Sequence, residues 1–362
     1  MKSESAPKTI RFDKVVPLRS SERQQEELKP VTLTSSGGPV NLIKQLEKVG
    51  YICPLNLALQ IALFLDTQVD KIRSLILEGP SGCGKSFLAK SLSKVTGAEL
   101  VCLSCYAGMP VQNLIEIPST LGLAKAMAGN SVSETELLNL GTLSKVFLKS
   151  QTKPVIFLVD ELDKADASID TFFLGPIQDS KIWLESRSPI EAKKENLVII
   201  FTKNFNRKID DALLRRCHPI KMTYLKSDLE AKILSQHCTP RIVENLVKIV
   251  DIMRNASGSF EFERPPAPEE LLTAGKYVEQ MIQWGYKEYE LIGSVIFRVL
   301  AKSEHDKAVL EHMMKYHPDF ADPDCVNPKA LKIEDVYRKL GLLAASGIIS
   351  SPKEDLAVII EE

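Results

Sequence analysis

The chain has 362 residues, 46 Lys and Arg against 47 Asp and Glu, and a net charge of −1; 44% is hydrophobic and 26% charged. This is ordinary globular composition. It excludes an overall basic footprint for DNA or RNA, leaving only a local patch open, and no apolar run approaches the roughly eighteen residues of a membrane span.

The length leads to an expectation of two domains. Met1 to Pro7 has no apolar leader core, so a cytoplasmic protein is expected. The seven cysteines are scattered, and one lies in a glycine-rich loop, which is not the pattern of a disulfide framework. Residues 1–38 are rich in Ser, Pro, Lys and Glu and end in Ser35-Ser36-Gly37-Gly38; they are expected to be a flexible arm. Apolar spacing predicts helices over Leu42–Val49 and Leu55–Leu65, with Gly50 and Pro54 between them.

An alternation of strands and helices follows. The first strand is Leu75–Glu78. The loop after it, Gly79-Pro80-Ser81-Gly82-Cys83-Gly84-Lys85-Ser86, fits G-x-x-x-x-G-K-[ST], and a helix opens at Phe87. Strand, glycine loop and helix together are the context a phosphate-binding loop requires. Glycines let the backbone wrap an anion without Cβ clashes, and the wrapped amides and helix N-terminus aim positive dipoles at it. Lys85 is expected to reach the β- and γ-phosphates of ATP, and the Ser86 hydroxyl to ligate Mg²⁺.

The second strand is Glu99–Ser104, with Cys102 and Cys105 forming a C-x-x-C at the end of a strand read as buried. It has no second pair or nearby histidine, so metal binding is not expected, and His237-Cys238 is read as incidental. Tyr106 to Thr120 contains no Lys or Arg, which argues against a nucleic-acid groove there. The third strand, Val155–Val159, runs into Asp160-Glu161-Leu162-Asp163. An acid at the C-terminal edge of a parallel strand faces the crevice where ligands sit. Asp160 is expected to hold Mg²⁺ and Glu161 to polarise the attacking water; an N-cap after the strand is the alternative.

The fourth strand, Leu197–Phe201, leads to Asn204, read either as a γ-phosphate or water ligand or as a turn residue. Arg215 and Arg216 follow a short helical turn, and they read either as a solvated basic spot or as arginine fingers for a neighbouring subunit's γ-phosphate. A fifth strand is expected at Pro219–Tyr224. Near-continuous apolar strands separated by helices predict a parallel sheet covered on both faces. Beyond residue 225, helical periodicity without strands spans 227–256, 268–284, 287–302 and 306–316. A proline-bearing loop, Pro318–Pro328, precedes a final helix over Ile333–Ala345, and 352–362 is a short strand or tail.

The order of phosphate loop, Asp160-Glu161, Thr202-x-Asn204 and Leu213-Leu214-Arg215-Arg216 resembles the AAA+ ATPases. Gly50-Tyr51 before a helix, Tyr106-Ala107-Gly108 after the second strand, Leu162-Asp163-Lys164-Ala165 and Arg264-Pro265-Pro266-Ala267-Pro268-Glu269-Glu270-Leu271-Leu272 narrow the resemblance to the MoxR branch. It covers residues 40 to 315. It implies an α/β P-loop core with a five-stranded parallel sheet over 39–225, a helical lid over 226–316 and a C-terminal extension over 317–362. It also implies a homo-oligomeric, usually hexameric ring that hydrolyses ATP between subunits and remodels or activates a protein client, often for metal or cofactor insertion and with a von Willebrand A partner.

By motif position Asn204 would be the sensor-1 residue, Arg216 the finger with Arg215 beside it, and Arg264 the sensor-2 residue. The stretch Val111 to Thr120 lacks the aromatic run of close relatives, in a region where central-pore loops sit. Trp183, in Lys181-Ile182-Trp183-Leu184-Glu185, fits an inserted hairpin of this group, or is a surface or core aromatic. A nucleic-acid motor and a nucleotide-switched scaffold are the competing functions.

Overall fold

The computed structural model describes residues 33–35, 37–67, 70–255, 261–285 and 299–309. Two helices, α1 (Pro39–Lys48) and α2 (Leu55–Asp66), precede strand β1 (Arg73–Glu78). The phosphate-loop helix α3 (Lys85–Thr96) leads to β2 (Glu99–Ser104). An insertion then runs through β3 (Glu116–Pro118), α4 (Thr120–Met127), α5 (Glu134–Leu137) and β4 (Leu138–Leu140). Helix α6 (Thr142–Ser150), strand β5 (Val155–Asp160) and helix α7 (Ser168–Asp179) follow. The two-residue strands β6 (Lys181–Ile182) and β7 (Ile190–Glu191) form a hairpin before β8 (Leu197–Lys203), α8 (Asp211–Leu214) and β9 (His218–Lys221). Helices α9 (Ser227–Leu234), α10 (Pro240–Asn255) and α11 (Pro268–Gln283) follow.

The five-stranded sheet has the order β2-β5-β8-β1-β9 and every pairing is parallel. Strand β8 is buried along its whole length and β5 from Val155 to Val159, which is why their sequences read as unbroken apolar runs rather than alternations. The register pairs Ser104 with Asp160 and Glu78 with both Lys203 and Lys221. The C-terminal ends of the strands therefore share one rim, the place where open α/β sheets bind ligands.

One face of the sheet packs on α1, α2 and α3 through Leu42, Ile61, Leu88 and Leu92. The other packs on α6 and α7 through Phe147, Phe157 and Phe173, and Phe173 stands edge-on to Phe201 at 5.0 Å. A separate apolar cluster, with Leu246, Val250, Leu271 and Ala274 at its centre, binds α9, α10 and α11 together. Among the described residues no helix is long and apolar enough to cross a membrane.

Several expectations change in detail. The arm does not remain free up to residue 38: Leu33 is buried, and Ser35 donates from its N–H and hydroxyl to the Asp66 carboxylate at 2.7 and 2.5 Å. Arg73 Nη1 also donates to the Leu33 carbonyl at 2.8 Å. The helix expected over 227–256 is two helices, because Pro240 has no N–H to continue the ladder and disfavours helical backbone at Thr239. Strand β2 is an edge strand, so Cys102 is exposed and only Cys105 is buried. The fifth strand ends at Lys221, although Met222 N still donates to Glu78 O at 2.7 Å. Trp183 follows β6 in the expected hairpin and is 71% exposed. Most of the helix expected over 287–302, much of that over 306–316 and everything from 317 onward lie outside the described residues.

Candidate nucleotide site

The loop between β1 and α3 is shaped by its glycines. Gly82 and Gly84 have φ of 76° and 95°, a region that L side chains rarely adopt. A Cβ on Gly79 would collide with the carbonyl of Met222, and one on Gly82 with the Cβ of Ala267. The loop is thus pressed between the segment leaving β9 and the residue that opens α11.

Lys85, the first residue of α3, turns back into the loop and is 7% exposed. Its Nζ donates to Gly79 O at 2.9 Å, Pro80 O at 2.7 Å and Asn204 Oδ1 at 2.8 Å. Burial pulls its pKa below the ordinary lysine value, against the opposing charges of its neighbours Asp163 and Asp160. Burial pushes the Cys83 thiol pKa up despite Lys85 nearby.

The Ser86 hydroxyl donates to Asp160 Oδ1 at 2.6 Å, joining the phosphate loop to the end of β5. Thr202 completes this cluster. Its Oγ1 donates to Asp160 Oδ1 at 2.5 Å and accepts from Glu161 N at 2.9 Å. Glu161 has φ 57° and ψ 46°, left-handed backbone for a non-glycine residue. Such a conformation costs about 1–2 kcal/mol and persists only where the surroundings hold it. The Glu161 carboxylate pairs with Lys164 Nζ at 2.7 Å.

These groups line one cleft of about 780 Å³ with Gly50, Tyr51, Ile52, Ser81, Cys83 and Phe87 on the core side. Tyr51 is buried against Phe87, ring centroids 5.5 Å apart, and burial drives its hydroxyl pKa up. The helical region closes the other side with Ile233, Gln236 and His237 beyond or within α9 and with Pro268, Glu269 and Leu272 of α11. The cleft therefore has an apolar flank (Ile52, Ile233, Leu272) opposite a polar end built from Lys85, Ser86, Asp160, Glu161 and Asn204.

A triphosphate with Mg²⁺ fits this donor set. The loop offers backbone N–H groups and a buried ammonium for phosphate oxygens. Among the described residues no group of three or more His, Cys, Asp or Glu side chains forms a metal cage. Ser86 beside Asp160 is the sparse protein contribution expected of a Mg²⁺ completed by phosphate and water oxygens.

Not every expected residue joins the cleft. Gly79 and Pro80 contribute through their carbonyls to Lys85 rather than by lining it. Arg215 and Arg216 lie at the start of β9, the opposite end of the sheet, in a separate hollow of about 240 Å³ with Lys71, Arg73 and His218. Arg216 Nη1 donates to Ala212 O at 3.0 Å, and its Nε is buried without a partner. Arg264 is exposed and does not line the cleft; at that end the helical region presents Glu269 instead.

Ile52 and His237 are cleft residues that no motif contained, and Tyr51 and Thr202, although part of the Gly50-Tyr51 and Thr202-x-Asn204 phrases, were given no role in the site. Thr202 had a signal, being a hydroxyl at the tip of the apolar run of β8. His237 had none, because its position depends on how α9 meets the core.

Comparison with known proteins agrees with this geometry. Residues 74–217 match the family model of the AAA domain, dynein-related subfamily. The chain is 28% identical over 193 residues to a Lon protease of Acinetobacter baumannii, a match covering 51% of this chain and 22% of that protein. It is 25% identical over 214 residues to a proteasome-associated ATPase of a Nocardioides species, covering 56% and 33% respectively. A Lon protease of Mycoplasma genitalium matches at 25% over 191 residues, covering 51% and 22%. The matches thus span a third or less of these relatives' lengths. The five-stranded parallel sheet with its flanking helices is consistent with a P-loop AAA+ core, and a helical region follows it.

Proposed function

We propose that this chain is an ATP-hydrolysing, Mg²⁺-dependent subunit of an AAA+ ring of the MoxR branch that remodels or activates a protein client. The observation that supports the reading best is the convergence of Lys85, Ser86, Asp160, Glu161 and Asn204 on one cleft from three separate segments of the chain. Loop N–H groups from Ser81 to Ser86, with Phe87 in the first turn of α3, would cradle the phosphates, and Gly79 and Pro80 would shape the loop around them. Lys85 would exchange its loop carbonyls for phosphate oxygens. Ser86 and Asp160 would hold Mg²⁺, which when bound neutralises charge on the phosphate oxygens. Glu161 would accept a proton from the attacking water, and Asn204 would orient that water or the terminal phosphate.

The polar end of the cleft has Lys85 as its buried cation and no arginine. Arg215 and Arg216 sit at the far end of the sheet, where they cannot serve their own cleft. This arrangement favours a homo-oligomer, a hexameric ring in this reading, in which Arg216, with Arg215 beside it, completes the cleft of a neighbouring copy. Arg264 is left without a sensing role. We assign residues 39–225 to the nucleotide-binding core, 226–316 to the lid, 317–362 to an extension and 1–38 to the arm, with its last residues docked on the core. A protein client fits relatives that are by name a protease and a proteasome-associated ATPase. A von Willebrand A partner and a cytoplasmic setting belong to the same reading.

The test is phosphate release from Mg·ATP by the wild-type chain and by Glu161→Gln. The variant should bind Mg·ATP with unchanged affinity and release phosphate at least about 100-fold more slowly, the scale of lost general-base catalysis. Equal rates would remove Glu161 from its role.

A further inference from the structure

Behind the cleft lies a charged pair that the reading above does not use. Asp170, in the first turn of α7, is fully buried. Its carboxylate accepts both terminal nitrogens of Arg207, Nη1 at 2.7 Å and Nη2 at 2.8 Å, and the Asp210 N–H at 3.0 Å. The rest of the guanidinium is also occupied. Arg207 Nε donates to Ala165 O at 2.8 Å, Nη2 to Leu162 O at 3.2 Å and Nη1 to Lys208 O at 3.1 Å. The hydrogen bonds to Asp170 hold the Arg207 pKa above its ordinary value.

Taking two charges out of water is expensive, and such a pair is weak grounds for stability in itself. A two-pronged, fully satisfied pair does fix geometry. What it fixes here is specific. Leu162 and Ala165 belong to the turn that begins at Glu161, whose left-handed backbone must be held by its surroundings. Arg207 itself lies three residues after Asn204, and the intervening Asn206 N–H is bound by Asp163 Oδ2 at 3.0 Å. Asp210 caps α8 through its side chain, which accepts from Ala212 N, and α8 ends at the Arg215-Arg216 pair.

We propose that Arg207 and Asp170 are positioning residues of the hydrolytic step: their pair holds the Glu161 turn and the Asn204 loop in register with each other, and anchors α8 with its two arginines to the same point. The proposal rests on the function assigned to the cleft. Neither residue touches the cleft; both act through the backbone they bind.

The experiment compares the full-length wild-type chain with Arg207→Lys, which keeps a cation for Asp170 but loses the fork, and with Asp170→Asn/Arg207→Gln, a neutral pair that leaves no buried charge unpaired. Amide hydrogen exchange is read without nucleotide, then Mg·ATP binding and turnover. In both variants exchange should quicken by about 10-fold or more at Lys164, Ala165 and Asn206 while the centres of β5 and β8 stay protected. Turnover should fall by roughly 10- to 100-fold, the scale of a misplacement near 1 Å, with Mg·ATP affinity within about 3-fold of wild type.

Unchanged exchange at those three amides in both variants overturns the proposal, and so does a loss of turnover matched by an equal loss of affinity. A wild-type chain that binds no Mg·ATP defeats the function assigned to the cleft; the exchange comparison needs no nucleotide and separates the two failures.

Discussion

Replacing Lys85 by Met tests how the phosphate loop stores its lysine. In the structure the ammonium is almost fully buried and satisfies three acceptors, Gly79 O, Pro80 O and Asn204 Oδ1, at 2.7–2.9 Å. Hydrogen bonds to a charged group contribute about 1.5–3 kcal/mol each. Burying an ammonium costs several kcal/mol in return. Methionine has a similar stem, leaves the acceptors unpartnered and removes the desolvation cost. The variant should therefore be less stable than wild type by only about 1–2 kcal/mol in the absence of nucleotide.

The larger difference should appear with ligand. At Mg·ATP of about 100 times Kd a binding protein gains about 2.7 kcal/mol. With a urea slope of about 3 kcal/mol/M, that moves the unfolding midpoint of wild type up by roughly 1 M and leaves Lys85→Met where it was. The assay is urea denaturation of both forms with and without Mg·ATP. An equal ligand-induced shift in the two would refute the reasoning, because the nucleotide would then be held without the residue around which the loop is built.

Three further outcomes follow from particular contacts. Gly82→Ala places a side chain at φ 76° and into Ala267 of the helical region; it should cost about 1–2 kcal/mol and weaken Mg·ATP binding, and wild-type values in denaturation and calorimetry would show that the helical region does not press on the loop. Glu116 is buried, and although burial opposes its charge, hydrogen bonds from Ser186 Oγ and the N–H groups of Glu185 and Ser186, with Arg187 nearby, hold its pKa below the ordinary carboxylate value. The stability it contributes is present above the unfolded-state pKa of about 4.3 and lost as pH falls through the lower folded value, so the deficit of Glu116→Gln measured by denaturation should be full at pH ~6 and shrink towards pH ~3.5. Trp183→Ala removes a side chain that is 71% exposed; its unfolding midpoint should stay within about 0.5 kcal/mol of wild type, and a large loss would mean that the ring is packed rather than displayed.

The core was legible because each central strand is buried on both faces and so reads as an unbroken apolar run, and because the phosphate loop and Asp160-Glu161 are local motifs fixed by local geometry. The elements that escaped are those set by distant partners. Strand β3 has three residues and β6 only two, too few for a period, and they are stabilised where Glu116 of β3 accepts from the loop of the β6–β7 hairpin 69 residues away. The break between α9 and α10 was legible at Pro240, yet the apolar spacing on either side masked it.

Among the site residues, Ser86 and Asp160 could be paired from motifs, whereas Thr202 joins them only through the register of β5 against β8. Arg264 follows a sequence position that, in three dimensions, turns outward before α11 begins. The Arg207–Asp170 pair spans 37 residues and carries no motif.

The most direct measurement of the central claim is a calorimetric titration of the full-length chain with Mg·ATP. A saturable heat with one site per chain, abolished in Lys85→Met, is the expected result. A flat titration of the wild-type chain, or one that the substitution leaves unaltered, would contradict the assignment of the cleft to a nucleoside triphosphate.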